Sequence, residues 1–239
     1  MVLKTVLGMS IAQHLEEVHQ RIAKAAQDAS RDAACVTLLA VSKTFPAADV
    51  RAAFDAGQRA FGENYVQEGI AKIAELADLR GGIEWHYIGP LQSNKTKVVA
   101  EQFDWVHSID RLKIAERLSA QRPAGTRALN VCIQVNVSGE ASKSGVEPAE
   151  AAALAHAVAA LPGLRLRGLM AIPEPADTLD AQRVPHARLR DLLNTLRADG
   201  LDLDTLSMGM SADLEAAVLE GATMVRIGTA IFGARTYTT

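Results

Sequence analysis

Aromatic side chains, long apolar runs and clusters of basic residues are all scarce in this chain. Only 4% of the 239 residues are aromatic, and no stretch approaches the roughly 20 consecutive apolar residues that a membrane-spanning helix requires. The formal net charge is −3 at pH 7, and no long run of Lys and Arg occurs, which argues against a dedicated nucleic-acid surface. We therefore expect a chain that binds neither a membrane nor a nucleic acid.

Cysteine is also scarce, with Cys35 and Cys132 as the only two. Both occur in apolar, strand-like runs, so we expect two buried, reduced thiols rather than a disulfide framework. The first residues, MVLKTVLGMS, contain no clear cleavage site and are soon followed by the polar run QHLEEVHQR, so a signal peptide is not expected. These features together predict a cytoplasmic protein.

Hydrophobic residues, in contrast, make up 49% of the chain and recur in a regular order. Ser10 precedes an amphipathic helix over about residues 10–29. Eight short apolar runs then alternate with helical patterns, which predicts a parallel sheet with helical crossovers. Eight such units at this length fit an α/β fold, a single-domain (β/α)8 TIM barrel over residues 1–239. An open doubly wound sheet is the alternative, but the Gly-x-Gly-x-x-Gly that usually follows its first strand is missing.

The choice of a barrel determines which residues are candidates for function, because active sites in such barrels lie at the carboxyl ends of the strands. The candidates at or just after these predicted ends are Lys43, Glu63, Asn64, His86, Ser108, Asp110, Asn136, Met170, residues 207–211 and residues 226–229. Lys43 ends the first strand. Its ammonium group either reaches solvent at the rim or lies partly desolvated, where a lowered pKa lets the free amine form a Schiff base with an aldehyde.

Two glycine-containing segments, SMGMS and RIGTAIFG, follow the seventh and eighth strands. Loops at these positions commonly bind phosphate through backbone N–H groups and a helix N-terminus. The hydroxyls of Ser207, Ser211 and Thr229 add donors, and Gly228 allows a close approach to the backbone. Ser211 is alternatively the cap of the next helix, a role that is compatible with phosphate binding. A lysine on the first strand and a phosphate site at the last two predict a phosphorylated aldehyde as the ligand.

Arg226 lies on the last strand, two residues before Gly228. It either pairs with a neighbouring carboxylate or faces the ligand. A guanidinium donates hydrogen bonds and does not readily accept a proton, so a pyridine nitrogen opposite Arg226 would stay unprotonated. Such a site would stabilise a carbanion only modestly.

Five motifs, in this order, resemble those of the pyridoxal phosphate homeostasis protein family. They are AVSKTFP, FGENYVQE, WHYIGPLQSNK, SKSG and LSMGMSADLEAAVLEGATMVRIGTAIFG, and they extend from about Cys35 to Gly233. The family is in turn similar to the barrel domain of alanine racemase. The resemblance implies a barrel that carries pyridoxal 5′-phosphate (PLP) as a covalent internal aldimine on the lysine that matches Lys43.

The same resemblance implies roles for other residues of the motifs. It places phosphate contacts at the serines, the glycine and the threonine of the last two loops, the pyridine nitrogen at Arg226, and Asn64 close to the cofactor. His86 and Met170 also end strands and are predicted to line the pocket. The predicted cofactor site is Lys43, Asn64, His86, Met170, Ser207, Met208, Ser211, Arg226, Gly228 and Thr229.

Lys143 lies in the Ser/Gly-rich segment SGEASKSG after the fifth strand. It is either a solvated loop lysine or, as the resemblance allows, a second and transient PLP contact. The other histidines show no metal-ligand spacing with carboxylates or cysteines. No metal site is predicted.

Two functions from different classes fit these observations. One is a PLP carrier in intracellular vitamin B6 homeostasis that delivers PLP to apoenzymes or salvage enzymes, and the other is an amino-acid racemase or another weak PLP enzyme. Racemisation needs an acid/base group on each face of the ring; in the related racemases the second group is a tyrosine of a separate β-domain, which we do not find here. We therefore predict a monomeric carrier without catalytic residues. A phosphate-sugar aldolase is less favoured, since its lysine usually lies on a later strand.

Overall fold

The computed structural model describes residues 9–139 and 144–233, which form a closed barrel of eight parallel strands. Each strand pairs with the next one in sequence, and the first pairs with the last. The strands are β1 (Thr37–Val41), β2 (Ala60–Glu63), β3 (Glu84–Tyr87), β4 (Trp105–Ile109), β5 (Leu129–Gln134), β6 (Leu164–Met170), β7 (Thr205–Ser207) and β8 (Met224–Ile227). The predicted (β/α)8 barrel is confirmed.

Helices alternate with these strands and surround the barrel. They are α1 (Ile11–Asp28), α2 (Ala47–Asp55), α3 (Val66–Glu75), α4 (Thr96–Gln102), α5 (Leu112–Gln121), α6 (Pro148–Ala159), α7 (Leu179–Ala198), α8 (Leu214–Leu219) and α9 (Thr229–Phe232). Helix α1 precedes the first strand, as the sequence predicts. The prediction of one domain over residues 1–239 extends past the described residues and stays a prediction.

Helix α1 begins with a capping box at Ser10. The Gln13 N–H donates to Ser10 Oγ at 3.3 Å, and the Ser10 N–H donates to Gln13 Oε1 at 2.8 Å, which satisfies two backbone donors at the helix start. The helix packs against α2, α8 and α9. Arg21 donates to the two carboxylate oxygens of Glu215 on α8 at 2.8 and 2.9 Å. The extra helix is thereby attached to the last units of the barrel.

Two apolar clusters lie on opposite faces of the strands. Along β5, Val131 and Ile133 belong to the cluster that packs against the helices, whereas Cys132 belongs to the cluster inside the barrel. This division follows from the strand geometry, since successive side chains point to opposite faces. The inner cluster consists of Leu39, Val41, Ala60, Ile88, Trp105, Cys132, Met170 and Met224. The barrel interior is therefore packed, and we expect a ligand to bind at one of its ends.

The structure corrects one of the two cysteine predictions. Cys132 is buried as expected, and burial raises the pKa of its thiol to about 12. Cys35 is exposed and ends a 3-10 turn, Ala33–Cys35, which precedes β1 instead of belonging to it. The turn forms because Asp32 accepts a hydrogen bond from the Ala34 N–H. In the part of the chain that the structure describes, no helix is both long and apolar enough to cross a membrane.

Candidate functional site

The carboxyl ends of the strands surround a cavity of about 390 Å³. The residues that line it are Val41, Lys43, Asn64, Ile88, Ile172, Met210, Ser211, Ala212, Arg226, Gly228 and Thr229. Six of the ten residues predicted for the cofactor site are among them: Lys43, Asn64, Ser211, Arg226, Gly228 and Thr229. The lysine after β1, the arginine of β8 and the loops after β7 and β8 thus meet at one cavity.

Lys43 lies just after β1 and is half-buried at the cavity wall. Side chains of α3 hold the backbone on both sides of it. Lys72 Nζ donates to the Ser42 carbonyl oxygen at 2.6 Å, and the Thr44 N–H donates to Glu68 Oε1. Thr44 has a φ of 68°, in the left-handed region that β-branched residues rarely adopt. The two hydrogen bonds fix the direction in which the chain leaves β1 and therefore the position of Lys43.

The same side chains form a buried ionic network beneath this turn. Lys72 is 5% exposed and donates to Glu63 Oε1 and to Glu68 Oε1, both at 2.7 Å. Ser42 Oγ donates to the same Glu63 oxygen at 2.6 Å. Burial raises the pKa of Glu63, although the Lys72 ammonium opposes this shift. Sequence reasoning named Glu63 only as a strand-end residue and missed Lys72 and Glu68, for which the available signal was their i,i+4 spacing on α3.

Arg226 reaches the cavity from the barrel interior, where it is 4% exposed. Its Nη1 donates to Ser207 Oγ and its Nη2 donates to the Ala171 carbonyl oxygen, both at 2.9 Å. Burial lowers the pKa of the guanidinium to about 10, so it remains charged at neutral pH. These partners are a hydroxyl and a carbonyl, and no carboxylate among the described residues forms a salt bridge with Arg226. This favours the alternative in which Arg226 faces a ligand.

Asn64 adds an unsatisfied acceptor to the cavity wall. Its Oδ1 is buried and has no hydrogen-bond partner among the described residues. Its backbone carbonyl, by contrast, accepts a hydrogen bond from the Tyr87 hydroxyl at 3.2 Å. Buried polar atoms are usually satisfied, so a free acceptor at this place indicates a site that a polar ligand completes.

The loop after β7 is shaped by Gly209 and Asp213. Gly209 has a φ of 94°, and a Cβ there would lie 2.5 Å from the Ala217 Cβ, so only glycine fits without a shift. Asp213 Oδ1 accepts from the Met210 N–H at 2.7 Å, and Asp213 is the N-cap of α8. Ser211 is therefore not the helix cap, which corrects that alternative, and it lines the cavity instead.

Four of the predicted cofactor contacts do not line the cavity. His86, Met170, Ser207 and Met208 are all 0% exposed. Met170 belongs to the cluster inside the barrel and Met208 to the cluster against the helices. The His86 ring stacks on Trp105 with centroids 5.1 Å apart. A position at the end of a strand does not specify the layer in which a side chain lies, and here these four lie below or outside the cavity.

A second cavity, of about 460 Å³, opens at the amino ends of the strands. It is larger than the first, but its charged side chains mainly hold the fold together. Arg80 donates to the two carboxylate oxygens of Asp104 at 3.0 and 2.9 Å. Arg122 donates to the carbonyl oxygens of Ala100 and Phe103 at 2.5 and 2.8 Å. Because this end of a barrel generally serves stability, we place the functional site at the carboxyl ends.

The second PLP contact and the possibility of a metal site concern parts of the molecule away from this cavity. Lys143, the predicted transient PLP contact, lies outside the described residues. Within residues 9–139 and 144–233, no three His, Cys, Asp or Glu side chains are grouped so that they could hold a metal ion.

Comparisons with known proteins agree with the geometry of the barrel. Residues 13–236 match the family described as alanine racemase, N-terminal domain. The pyridoxal phosphate homeostasis protein of Pseudomonas aeruginosa is 65% identical over 228 residues, which cover 95% of this chain and 97% of that protein. The chain belongs to the pyridoxal phosphate homeostasis protein family. The protein of the same name from Escherichia coli K12 is 56% identical, with coverage of 95% and 97%. The resemblance read from the motifs is confirmed.

Solved structures place the family among barrels of known shape. PipY of Synechococcus elongatus, solved with PLP bound, is 40% identical with a TM-score of 0.83, and the match covers 94% of this chain and 100% of PipY. Alanine racemase of Corynebacterium glutamicum is 18% identical with a TM-score of 0.65, and 62% of its chain is covered. At that identity the second comparison shows a shared fold and nothing about activity.

Proposed function

We propose that this protein binds PLP in the cavity at the carboxyl ends of the strands, holds it by a Schiff base to Lys43, and serves in vitamin B6 homeostasis as a carrier that delivers PLP to apoenzymes or salvage enzymes. The observation that carries the proposal is the convergence of Lys43, Arg226, Ser211 and Thr229 on one cavity. PLP in the related PipY structure supports the same ligand.

The residues of the cavity fit the three parts of PLP. The Lys43 amine is the nucleophile for the aldehyde carbon, and condensation releases water. The hydroxyls of Ser211 and Thr229 and the backbone at Gly228 line the cavity and are suited to the phosphate. The Arg226 guanidinium is suited to donate a hydrogen bond to the nitrogen of the pyridine ring.

Arg226 also argues for binding rather than strong catalysis. PLP withdraws electrons from a substrate carbon most effectively when its ring nitrogen is protonated. A charged guanidinium donates to that nitrogen and does not protonate it. The pKa of Arg226, at about 10, keeps this donor charged at neutral pH.

The racemase alternative needs a second acid/base group opposite Lys43, and the tyrosines do not favour it. The Tyr87 hydroxyl donates to the carbonyl oxygens of Asn64 and Pro90, and burial raises its pKa to about 12. Tyr65 is 57% exposed. Tyr237 lies outside the described residues. We therefore propose a carrier, as a monomer in the cytoplasm, and expect no appreciable racemisation of alanine.

Borohydride reduction tests the proposal, since it converts a Schiff base into a stable pyridoxyl-lysine that mass spectrometry can locate. We expect the purified, PLP-loaded protein to be yellow, to lose its visible band on reduction, and to carry the pyridoxyl group at Lys43. Lys43→Ala is expected to lose nearly all of the reducible cofactor. The control is Lys97→Ala, because Lys97 is an exposed lysine of α4 that lies 4.0 Å from Glu101. A full reducible load in Lys43→Ala contradicts the assignment.

Transfer and turnover need separate measurements. Loaded wild-type protein is incubated with the apo form of a PLP-dependent enzyme, and the recovery of that enzyme's activity is followed. We expect recovery with the loaded protein and none with reduced protein, whose cofactor cannot leave. Exchange of the alpha proton of alanine with inversion would favour the racemase instead.

A further inference from the structure

A line of hydrogen-bonded polar side chains runs through the barrel interior and ends at the cavity. Arg226 Nη1 donates to Ser207 Oγ at 2.9 Å, and Ser207 Oγ lies 2.8 Å from His107 Nδ1. His107 Nε2 lies 2.9 Å from His86 Nδ1. The His86 Nε2 atom is 3.4 Å from Glu84 Oε2, which is a long contact. The five residues come from β8, β7, β4 and β3.

The two ends of this line determine the direction of its hydrogen bonds. A guanidinium only donates, so Ser207 Oγ accepts from Arg226 and its own proton has His107 Nδ1 as acceptor. Burial, together with the charge of Arg226, lowers the pKa of His107 well below its usual value, so the ring is neutral and carries one proton. That proton is on Nε2 and is donated to His86 Nδ1. At the other end Glu84 is anionic at neutral pH, and the contact with His86 lowers its pKa further.

The surroundings of the line are apolar. Polar atoms in such surroundings cost free energy of folding unless they are hydrogen-bonded. His86 stacks on Trp105, and the interior cluster includes Cys132 and Met170. Barrel interiors are commonly filled by branched aliphatic side chains, and buried polar groups stabilise only when they are satisfied. Ser207, His107 and His86 are fully buried, so bulk water does not replace any of these contacts.

We propose that Ser207, His107 and His86 are positioning residues that hold Arg226 in place at the floor of the cavity. The inference rests on the proposed PLP function. The Ser207 oxygen points its lone pair at Arg226 only while the Ser207 proton is donated to His107 Nδ1. His107 in turn can accept at Nδ1 only while its own proton, on Nε2, is donated to His86. Arg226 is then a fixed donor for the ring nitrogen and does not have to be ordered when the ligand binds.

Two variants interrupt the line at different points. Ser207→Ala removes one oxygen with little change in volume, and His107→Leu removes the acceptor of the Ser207 proton. We expect both to weaken PLP binding about tenfold, as for the loss of one hydrogen bond to a charged group. We also expect both to shift the visible absorption band, because the donor to the ring nitrogen is no longer fixed. His107→Gln, whose amide can accept from Ser207 and donate to His86, should restore both properties to within about twofold.

Val131→Ala is the matched control for packing alone. Val131 is a fully buried residue of β5 whose side chain faces the helices and lies outside the line. The Val131→Ala substitution should lower the midpoint of thermal unfolding and leave the PLP dissociation constant and the absorption band unchanged. A structural role of Ser207 or His107 would produce this same pattern.

The outcomes separate this inference from the proposed function. If the wild type and Val131→Ala bind PLP, and Ser207→Ala binds it equally well with the same band, the positioning role is overturned while PLP binding stands. If the wild type itself takes up no PLP, the proposed function fails. If His107→Leu does not fold, Ser207→Ala and His107→Gln decide the question between them.

Discussion

His107 is a residue whose burial has a consequence for the stability of the whole protein. It is fully buried on β4, and its pKa is lowered well below the usual value of 6.5. The folded protein therefore keeps this ring neutral, whereas the unfolded chain protonates it at acid pH. The stability that this difference contributes is fully present above about pH 6.5. It is lost as the pH falls below that value, because the unfolded state then binds one more proton.

The variant His107→Gln tests this pH dependence. Between about pH 6 and pH 5, the wild type should lose up to ~1.4 kcal/mol of unfolding free energy per pH unit more than the variant. Urea titrations of both proteins at a series of pH values measure the difference. Parallel pH profiles would show that His107 titrates alike in the folded and unfolded states.

Lys43 and Lys72 show how environment gives one residue type two roles. Lys43 is half-buried at a cavity. Lys72 is almost fully buried, and its ammonium is surrounded by two carboxylates and a carbonyl oxygen. The sequence predicted the position of Lys43 because it ends an apolar strand. It did not distinguish Lys72 from a solvated lysine on a helix, since the carbonyl at Ser42 is distant in sequence.

At the scale of elements, α3 holds the turn between β1 and α2. The helix contributes Lys72 to the Ser42 carbonyl and Glu68 to the Thr44 N–H. We predict that Lys72→Met destabilises the fold by about 3 kcal/mol, because removing one partner leaves buried carboxylate charge without compensation. PLP loading should also slow, since the turn that carries Lys43 is no longer held on one side. Chemical denaturation and the rate of appearance of the visible band are the two measurements.

Lys97→Met is the control for this prediction. Lys97 is also paired with a glutamate at i,i+4, but both side chains are exposed and the separation from Glu101 is 4.0 Å. Exposed pairs contribute little, so we expect a change within about 0.5 kcal/mol. If Lys72→Met and Lys97→Met lose the same free energy of unfolding, the buried network beneath Lys43 contributes no more to stability than an exposed ion pair.

The elements themselves were largely predictable, and the exceptions have local causes. Strands and helices follow from apolar periodicity, which needs no knowledge of the fold. Cys35 was assigned to a strand because its neighbours are apolar, yet the Asp32 side chain starts a 3-10 turn there. Ser211 was considered a helix cap, but the N-cap of α8 is Asp213, two residues later. In the first case a nearby carboxylate set the boundary, through the hydrogen bond that Asp32 accepts from the Ala34 N–H.

At the scale of the whole molecule, closure of the barrel depends on close contact between β6 and β7. At Gly168, an added Cβ would lie 1.8 Å from the Thr205 carbonyl oxygen. We predict that Gly168→Ala costs at least about 3 kcal/mol, because two backbones must separate to accept the methyl group. The measurement is the midpoint and free energy of urea unfolding.

Gly81→Ala provides the comparison for Gly168→Ala. A Cβ at Gly81 would meet no atom within 4 Å, so its effect should stay within about 0.5 kcal/mol. If Gly168→Ala is as stable as Gly81→Ala, β6 and β7 can move apart more easily than their close contact indicates.

The sequence by itself determined the barrel and most of the cavity wall. Alternating periods specify strands and helices, and parallel strands in a closed sheet bring their carboxyl ends together, so residues as far apart as Lys43 and Arg226 were predicted to meet. Only the tertiary structure decided which strand-end side chains reach the cavity. Ser207 and His86 turn into the barrel, and Lys72 reaches the turn after β1. The positions of these side chains depend on the directions in which they point and on their distances from side chains of other elements. No local sequence pattern encodes either property.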